Sequence, residues 1–300
     1  MNVSVERCPL CGGSDFEPFE CQQDAGRELV YVLCATCGLV LQSPHMSEAE
    51  LAEFYTAGYR LTVQGTETAT DKDLRIQAGR ARHLVRFCRG VVPAVSSHLD
   101  IGSSSGALVR AMTRAYGSVG LGIEPGAGYR EMARQRGTET VAALDELDPA
   151  KLGAFDLVSM IHVLEHLPDP VGYLRELRQT WMSPDGRLLV EVPNLFGHRG
   201  AELSHLLILG PRTLRQTLES AGFRVQKMRA HGVPRSPVLC LYLTAVAASL
   251  PEQASARRPR FSSRGTRLGR RLGIWLYDTL TLRLPNWTWQ EWPESEQQGF

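Results

Sequence analysis

Beyond residue 93 the chain alternates between two periodicities. Short apolar runs at 97–101, 119–124, 155–161, 187–192 and 224–229 predict strands. Between them, apolar residues recur every three or four positions at 107–116, 128–136, 170–181 and 211–221, which predicts helices. Alternation of this kind builds βαβ units, whose crossovers cover both faces of a parallel sheet. The third strand is weakly marked. Upstream, Ser47 with Glu50 three positions later forms a capping box; it opens a helix that runs into Phe54 and Tyr55 and stops at Gly58. Residues 60–72 are polar and Thr-rich, a predicted loop, and 73–89 is helical again, with Leu74, Ala78, Ala81 and Val85 at helical spacing. The longest apolar stretch, 238–250, is 13 residues, where a membrane-spanning helix needs about 20.

Composition narrows the class. Of 300 residues 43% are apolar, enough for a sizeable core, and 33 basic against 32 acidic residues leave a net charge of +1. No whole-chain field draws the protein to nucleic acid or acidic lipid; such a partner needs a local patch. The first residues, MNVSVERCPL, lack a basic start followed by an apolar run, so the expectation is a cytoplasmic protein.

In a reducing compartment the seven cysteines matter by their spacing. Cys8 and Cys11 form one Cys-x2-Cys pair and Cys34 and Cys37 a second, 22 residues apart, each followed by glycine. Two such knuckles predict a zinc ribbon with a hairpin strand at 27–33 between them. Four thiolates fill a tetrahedron and leave no place for water, so the zinc is expected to be structural. Cys21, Cys88 and Cys240 lack partners at this spacing and are expected to bind no metal, the last two as buried thiols in apolar runs.

The stretch from Leu99 to Leu108, LDIGSSSGAL, joins the first strand to a helix, and its glycines let the backbone approach a ligand. Glu124 ends the second strand 22 positions after Gly102, where a carboxylate can accept bonds from both ribose hydroxyls. Together they predict an adenosine ligand. Asp100, just ahead of the loop, would repel a pyrophosphate but suits the ammonium and sulfonium of S-adenosylmethionine.

Through HLDIGSSSG, GLGIEP and FDLVSMIHVLEHLPDPVGYLRELRQTWMSPDGRLLVEVPN, the chain resembles the class I S-adenosylmethionine-dependent methyltransferases over about residues 90 to 230. CGLVLQSPHMSEAELAEFYTAGYR resembles the connector after a zinc ribbon in bacterial methyltransferases of glycan and natural-product pathways. The resemblance implies a Rossmann-like α/β fold: a seven-stranded sheet, helices on both faces and a small N-terminal zinc ribbon. It implies that Asp100, Gly102, Ser104 and Gly106 hold the methionine moiety, Glu124 the ribose, and Ala143 and Leu144 the adenine. Ser104 stands where the family commonly has a third glycine.

His162-Val-Leu-Glu165-His166 follows a β-rich run and precedes Leu167-Pro168-Asp169-Pro170, so it cannot be the helical metalloprotease signature it superficially matches. It sits at the C-terminal edge of a strand, where α/β sheets bind ligands; His162 is expected at the cofactor, and His166 either orders the loop or takes part in catalysis. His205 precedes the helix opened by Pro211 and matches the histidine of Glu-His-x-x-Tyr-Phe in sugar C-methyltransferases, which resemblance makes it the expected base; the acid and the aromatics of that motif are replaced by Ser204, Ile208 and Leu209. Tyr59 is expected to close over the site.

Residues 257–271 hold seven arginines and no acid, and four of the five tryptophans, 275, 287, 289 and 292, follow. The favoured reading is an arginine linker and a helix packed on the catalytic part; peripheral membrane contact through 257–284 is the weaker alternative. The expected division is a ribbon at 1–46, a helical connector and lid at 47–92, the methyltransferase domain at 93–250 and an extension at 251–300. The expected activity is methyl transfer to an oxygen, carbon or nitrogen of a small-molecule acceptor, a sugar or natural-product intermediate, with no nucleic acid. The competing class is a non-enzymatic zinc-ribbon module that contacts nucleic acid or a protein.

Overall fold

A computed structural model describes residues 2–24, 26–57, 68–199, 202–250 and 262–284. In chain order the elements are β1 (Asn2–Val3), β2 (Phe16–Asp24), β3 (Arg27–Cys34), β4 (Val40–Gln42), β5 (His45–Met46), α1 (Glu48–Ala57), α2 (Asp71–Cys88), β6 (Ser97–Ile101), α3 (Ala107–Tyr116), β7 (Val119–Ile123), α4 (Ala127–Gln135), β8 (Glu139–Val141), α5 (Pro149–Leu152), β9 (Phe155–Ile161), α6 (Pro170–Trp181), β10 (Met182–Pro193), β11 (Leu207–Ile208), α7 (Pro211–Ser220), β12 (Phe223–His231), β13 (Tyr242–Ser249) and α8 (Ser263–Arg283). Ser47 caps α1 as its sequence predicts: Glu50 Oε2 accepts from Ser47 N–H at 2.8 Å, and Glu50 N–H reaches Ser47 Oγ at 3.3 Å.

The central sheet runs β12-β13-β10-β9-β6-β7-β8. Neighbours from β10 to β8 pair in parallel, and β13 alone lies antiparallel, to both β10 and β12. A wholly parallel sheet would need a crossover after β12. Instead β13, read in the sequence only as an apolar run, turns back and enters between β10 and β12.

Strand alternation sorts the two faces. Leu99, Val158, Met160, Leu188, Val190 and Val192 point to the side packed by α6 and α7 through Val171, Leu174, Leu214 and Leu218. Leu157, Leu189 and Val246 point to the other side, under Leu84 and Val85 of α2 and Leu108 and Met112 of α3. Positions 98, 100, 159, 191 and 244 share this second phase but carry His, Asp, Ser, Glu and Thr, all buried. The α2 side of the sheet therefore has an apolar base and a polar upper edge.

The N-terminal sheet has the order β11-β4-β3-β2 and is antiparallel. Its outer strand β11 comes from the far part of the chain, so the ribbon and the loop before α7 share backbone hydrogen bonds. Cys8, Cys34, Leu39 and Leu41 lie in the same apolar cluster as Leu164, Leu207 and Leu209.

Candidate active site

At the end of β6 the chain turns sharply into α3. Gly102 and Gly106 sit at φ 76° and 73°, and a Cβ on Gly102 would lie 2.6 Å from Val163 Cγ2, so the turn has no room for a side chain there. Ser104 also occupies the left-handed region, at φ 49°, a conformation that costs a non-glycine residue about 1–3 kcal/mol. Glu124 holds it: Oε2 accepts from Ser104 N–H at 2.8 Å and Oε1 from Gly126 N–H at 2.9 Å. The carboxylate ties the glycine turn to the end of β7. Ala143 and Leu144 follow β8 and face the same space.

Asp100 is buried, and burial pushes its carboxyl up to about 7, against a hydrogen bond donated by Ser159 Oγ to Oδ1 at 2.5 Å. His98 Nε2 lies 2.8 Å from Ser159 Oγ. Because the serine proton goes to Asp100, the imidazole donates through Nε2, and burial holds the ring neutral, its pKa lowered to about 3. A relay of three buried side chains thus ends on the carboxyl beside the turn.

The 162–166 segment and the loop before α7 close the far side. His166 donates Nδ1–H to Ser204 O at 2.8 Å, which fixes its tautomer and puts the neutral ring's lone pair on Nε2. Its ring lies 4.9 Å from that of His205. His205 is buried, and burial, with the neighbouring His166, lowers its pKa to about 3. The acid that the sugar-enzyme motif places beside the histidine is missing from the adjacent position but returns three residues upstream: Glu202 Oε2 lies 3.6 Å from His205 Nε2. Glu202 was missed in the sequence because only the loop's fold brings it round. Tyr31 of the ribbon donates its hydroxyl to His205 O at 3.2 Å, and Asp24 Oδ2 accepts from Leu203 N–H at 2.7 Å.

His162 has φ 56° and sits between two buried carboxylates, Nδ1 3.2 Å from Glu165 Oε1 and Nε2 3.4 Å from Glu191 Oε1. Burial and Arg80 oppose its protonation, but the two glutamates outweigh them and raise its pKa. Glu191 also meets Arg80 Nε at 2.8 Å and accepts from Thr244 Oγ1 at 2.7 Å, with His231 Nε2 3.4 Å away. Every charge in this cluster faces an opposite one, as burial requires.

Asp100, Gly102, Ser104, Glu124, Ala143, Leu144, His162, His166, Glu202 and His205 all line one cavity of about 720 Å³. Gly106 stands behind the turn, where a Cβ would strike Thr138. Tyr59, the expected lid residue, lies outside the described residues. In the ribbon, Cys8 Sγ and Cys37 Sγ are 3.5 Å apart, as are Cys11 and Cys34, and all four sulfurs converge. A hydrogen bond from Cys37 lowers the Cys8 thiol to about 6, whereas burial raises Cys11 to about 11. Cys88 is buried as expected, but Cys240 is exposed: Leu239 and Leu241 on either side point inward, so the alternating backbone turns the thiol out.

A seven-stranded sheet with one antiparallel strand beside its edge, a glycine turn after the sheet's first strand in chain order and an acid after the next, is the fold of S-adenosylmethionine-dependent methyltransferases. The family description "Methyltransferase domain" matches residues 74–228, more than half of the chain, and the protein belongs to that family. Among curated relatives, a ubiquinone biosynthesis O-methyltransferase of Pseudomonas aeruginosa is 32% identical over 127 residues, covering 38% of this chain and 53% of its own length. One from Marinobacter nauticus is 28% identical over 169 residues, covering 48% of this chain and 69% of its own length. The chain spans about half the length of the first of these. Among solved structures, the 1,6-didemethyltoxoflavin-N1-methyltransferase of Burkholderia thailandensis, bound to 1,6-didemethyltoxoflavin and S-adenosylhomocysteine, aligns with a TM-score of 0.56 at 18% identity, over 77% of this chain and all of its own. That likeness is one of fold. A specific kinship with sugar C-methyltransferases does not emerge.

Proposed function

We propose that the protein methylates a hydroxyl of a small-molecule acceptor, taking the methyl group from S-adenosylmethionine. The observation that carries this reading is that one cavity is lined by two sets of residues. The first is formed by the glycine turn, Asp100, Glu124, Ala143 and Leu144, and suits an amino acid joined to adenosine; the second is formed by His166, Glu202 and His205. The names of the curated relatives favour oxygen as the atom methylated.

The residues present fit the cofactor. Asp100 suits its ammonium, the turn at Gly102 excludes side chains where the methionine part would lie, and the Glu124 carboxylate, with about four acceptor positions, can serve ribose hydroxyls as well as two amides. When bound, S-adenosylmethionine supplies an electrophilic methyl on a sulfonium. The protein's part is then to hold the acceptor oxygen in line, a placement that supplies about 7–11 kcal/mol of the barrier reduction. His205, kept neutral by burial, is placed to accept the acceptor's proton, and Glu202, 3.6 Å from its Nε2, would offset the burial that disfavours the imidazolium. His166 fixes the loop through Ser204 O and presents its own Nε2 lone pair to the same cavity.

The four converging thiols fit one zinc ion, held by Cys8, Cys11, Cys34 and Cys37 with no open position, and so structural. The test of the whole reading is calorimetry with S-adenosylhomocysteine, followed by a methyl-transfer screen against catechols and other ring hydroxyls. Absence of binding by the folded protein would refute it.

A further inference from the structure

The last described helix is fastened by one face only. Arg270, 3% exposed, donates to Leu195 O at 2.6 Å and His198 O at 2.5 Å and pairs with Glu20 at 2.9 Å. Arg267 pairs with Glu17 at 3.0 Å, and Asp278 with Arg199 at 2.7 Å. Gly269 and Gly273 let the helix lie directly on Phe196, and Tyr277 and Leu280 pack on Leu239, Leu241 and Tyr242. This inner face is rigidly docked on both the ribbon and the segment after β10.

The opposite face is apolar and bare. Leu268, Leu272, Trp275, Leu276 and Leu282 fall on one side of the helix and are 69%, 55%, 59%, 43% and 83% exposed. Arg264, Arg271 and Arg283 are exposed on the same side, Arg264 and Arg283 near the two ends of the helix. The only acid within the helix, Asp278, is already taken by Arg199. From 253 to 277 the sequence contains seven arginines and no acid. Among the described residues no helix is long and apolar enough to cross a membrane.

We propose that this outer face of α8 docks flat on an anionic lipid bilayer. An apolar stripe that enters the acyl boundary, a tryptophan suited to the interface and arginines that reach back to phosphate are what in-plane binding requires. Charge selects this occupant over a second copy of the chain. A two-fold interface would set the same patch against itself and oppose its arginines to their own counterparts. Nucleic acid would engage the arginines but leave the leucines and Trp275 in water. The inner face of α8 abuts His198 and Tyr242, which also line the cavity. Docking would therefore set α8 between the bilayer and this wall of the cavity.

Co-sedimentation of the full chain with vesicles tests this, comparing phosphatidylcholine alone with phosphatidylcholine mixed with phosphatidylglycerol. Binding is expected to the anionic vesicles only and to weaken with salt. Arg264→Glu together with Arg271→Glu should lower vesicle affinity about 30-fold or more, the effect of removing two basic side chains from an anionic surface. Trp275→Ser with Leu272→Ser should also abolish it while circular dichroism and S-adenosylhomocysteine affinity stay unchanged, since neither residue touches the cavity. The proposal is overturned if the wild type ignores anionic vesicles, binds neutral ones equally, or forms a dimer that Trp275→Ser dissolves. Retained S-adenosylhomocysteine binding in any of these cases leaves the methyltransferase reading standing on its own.

Discussion

On the proposed reading Asp100 meets the cofactor's ammonium, and its raised carboxyl then couples cofactor affinity to pH. Its carboxyl is raised from 3.8 to about 7 because the side chain is fully buried and only Ser159 donates to it. A group whose folded pKa lies above its unfolded value binds more protons in the native state between the two values. Stability from this group is therefore full below about pH 4 and is lost as pH rises towards 7. A displacement of this size corresponds to about 4 kcal/mol at the alkaline end, so Asp100→Asn should stabilise the cofactor-free protein at pH 8 and leave it unchanged near pH 4. Cofactor binding runs the other way. A ligand ammonium beside Asp100 favours the ionised carboxylate, so S-adenosylhomocysteine must first displace a proton below pH 7. With a pKa near 7 the competent fraction rises about fivefold between pH 6 and pH 7, and the affinity rises with it. Isothermal calorimetry in two buffers of different ionisation enthalpy should show this rise together with proton release at pH 6. Asp100→Asn should bind more weakly, with a flat profile. A wild-type affinity that does not change from pH 6 to pH 7 would show that Asp100 does not meet the ammonium.

Four further outcomes follow from the same geometry. Glu124→Ala should weaken S-adenosylhomocysteine by about 1–3 kcal/mol for each ribose hydroxyl left unpaired, and calorimetry at fixed pH measures it. His205→Ala should lower kcat at least a hundredfold with unchanged S-adenosylhomocysteine affinity, whereas His166→Ala should also loosen the loop at Ser204 and raise KM for the acceptor; steady-state kinetics separate the two. Elemental analysis should find one zinc per chain, and Cys37→Ala should abolish it and lower the melting temperature. Gly102→Ala should cost cofactor affinity and more than 1 kcal/mol of stability in chemical denaturation, since φ 76° and Val163 both oppose a Cβ there.

The elements that build the central sheet were readable because each has a single period: 97–101, 107–116, 155–161 and 170–181 match β6, α3, β9 and α6 end to end. Where local pattern carries no directional information the reading stopped. The apolar run that became β13 fits a strand of either sense, and only the connection at 232–241, which turns back from His231 to pair it with Tyr242, makes it antiparallel. β2, Phe-Glu-Pro-Phe-Glu-Cys-Gln-Gln-Asp, lies at a sheet edge with none of its nine residues buried, so it lacks apolar contrast. β11 is two residues long and exists because the ribbon offers it a partner. Asp100, Glu124 and the glycines were legible at the site because they stand at strand ends. The Glu191 cluster was not, because partners as far apart as Arg80 and Glu191 leave no mark on local spacing; Glu202 was not, because it stands three residues from His205 in a loop that carries no periodic pattern to bring the two together.

The two residues of β11 tie the N-terminal ribbon to the His205 side of the cavity, so that the two are held together by backbone pairing. His205 precedes Leu207 by two positions, and its loop hangs from the ribbon at Tyr31, Asp24 and the Gln42 amide, which donates to Leu206 O at 2.8 Å. Removing residues 1–46 would thus strip the wall from one end of the pocket while leaving Glu124 and the glycine turn in place. Such a truncation would behave as a protein that holds its donor and has lost its acceptor. If the four thiols hold zinc and an acceptor binds against His205, as proposed, reciprocity requires each to tighten the other by the same factor.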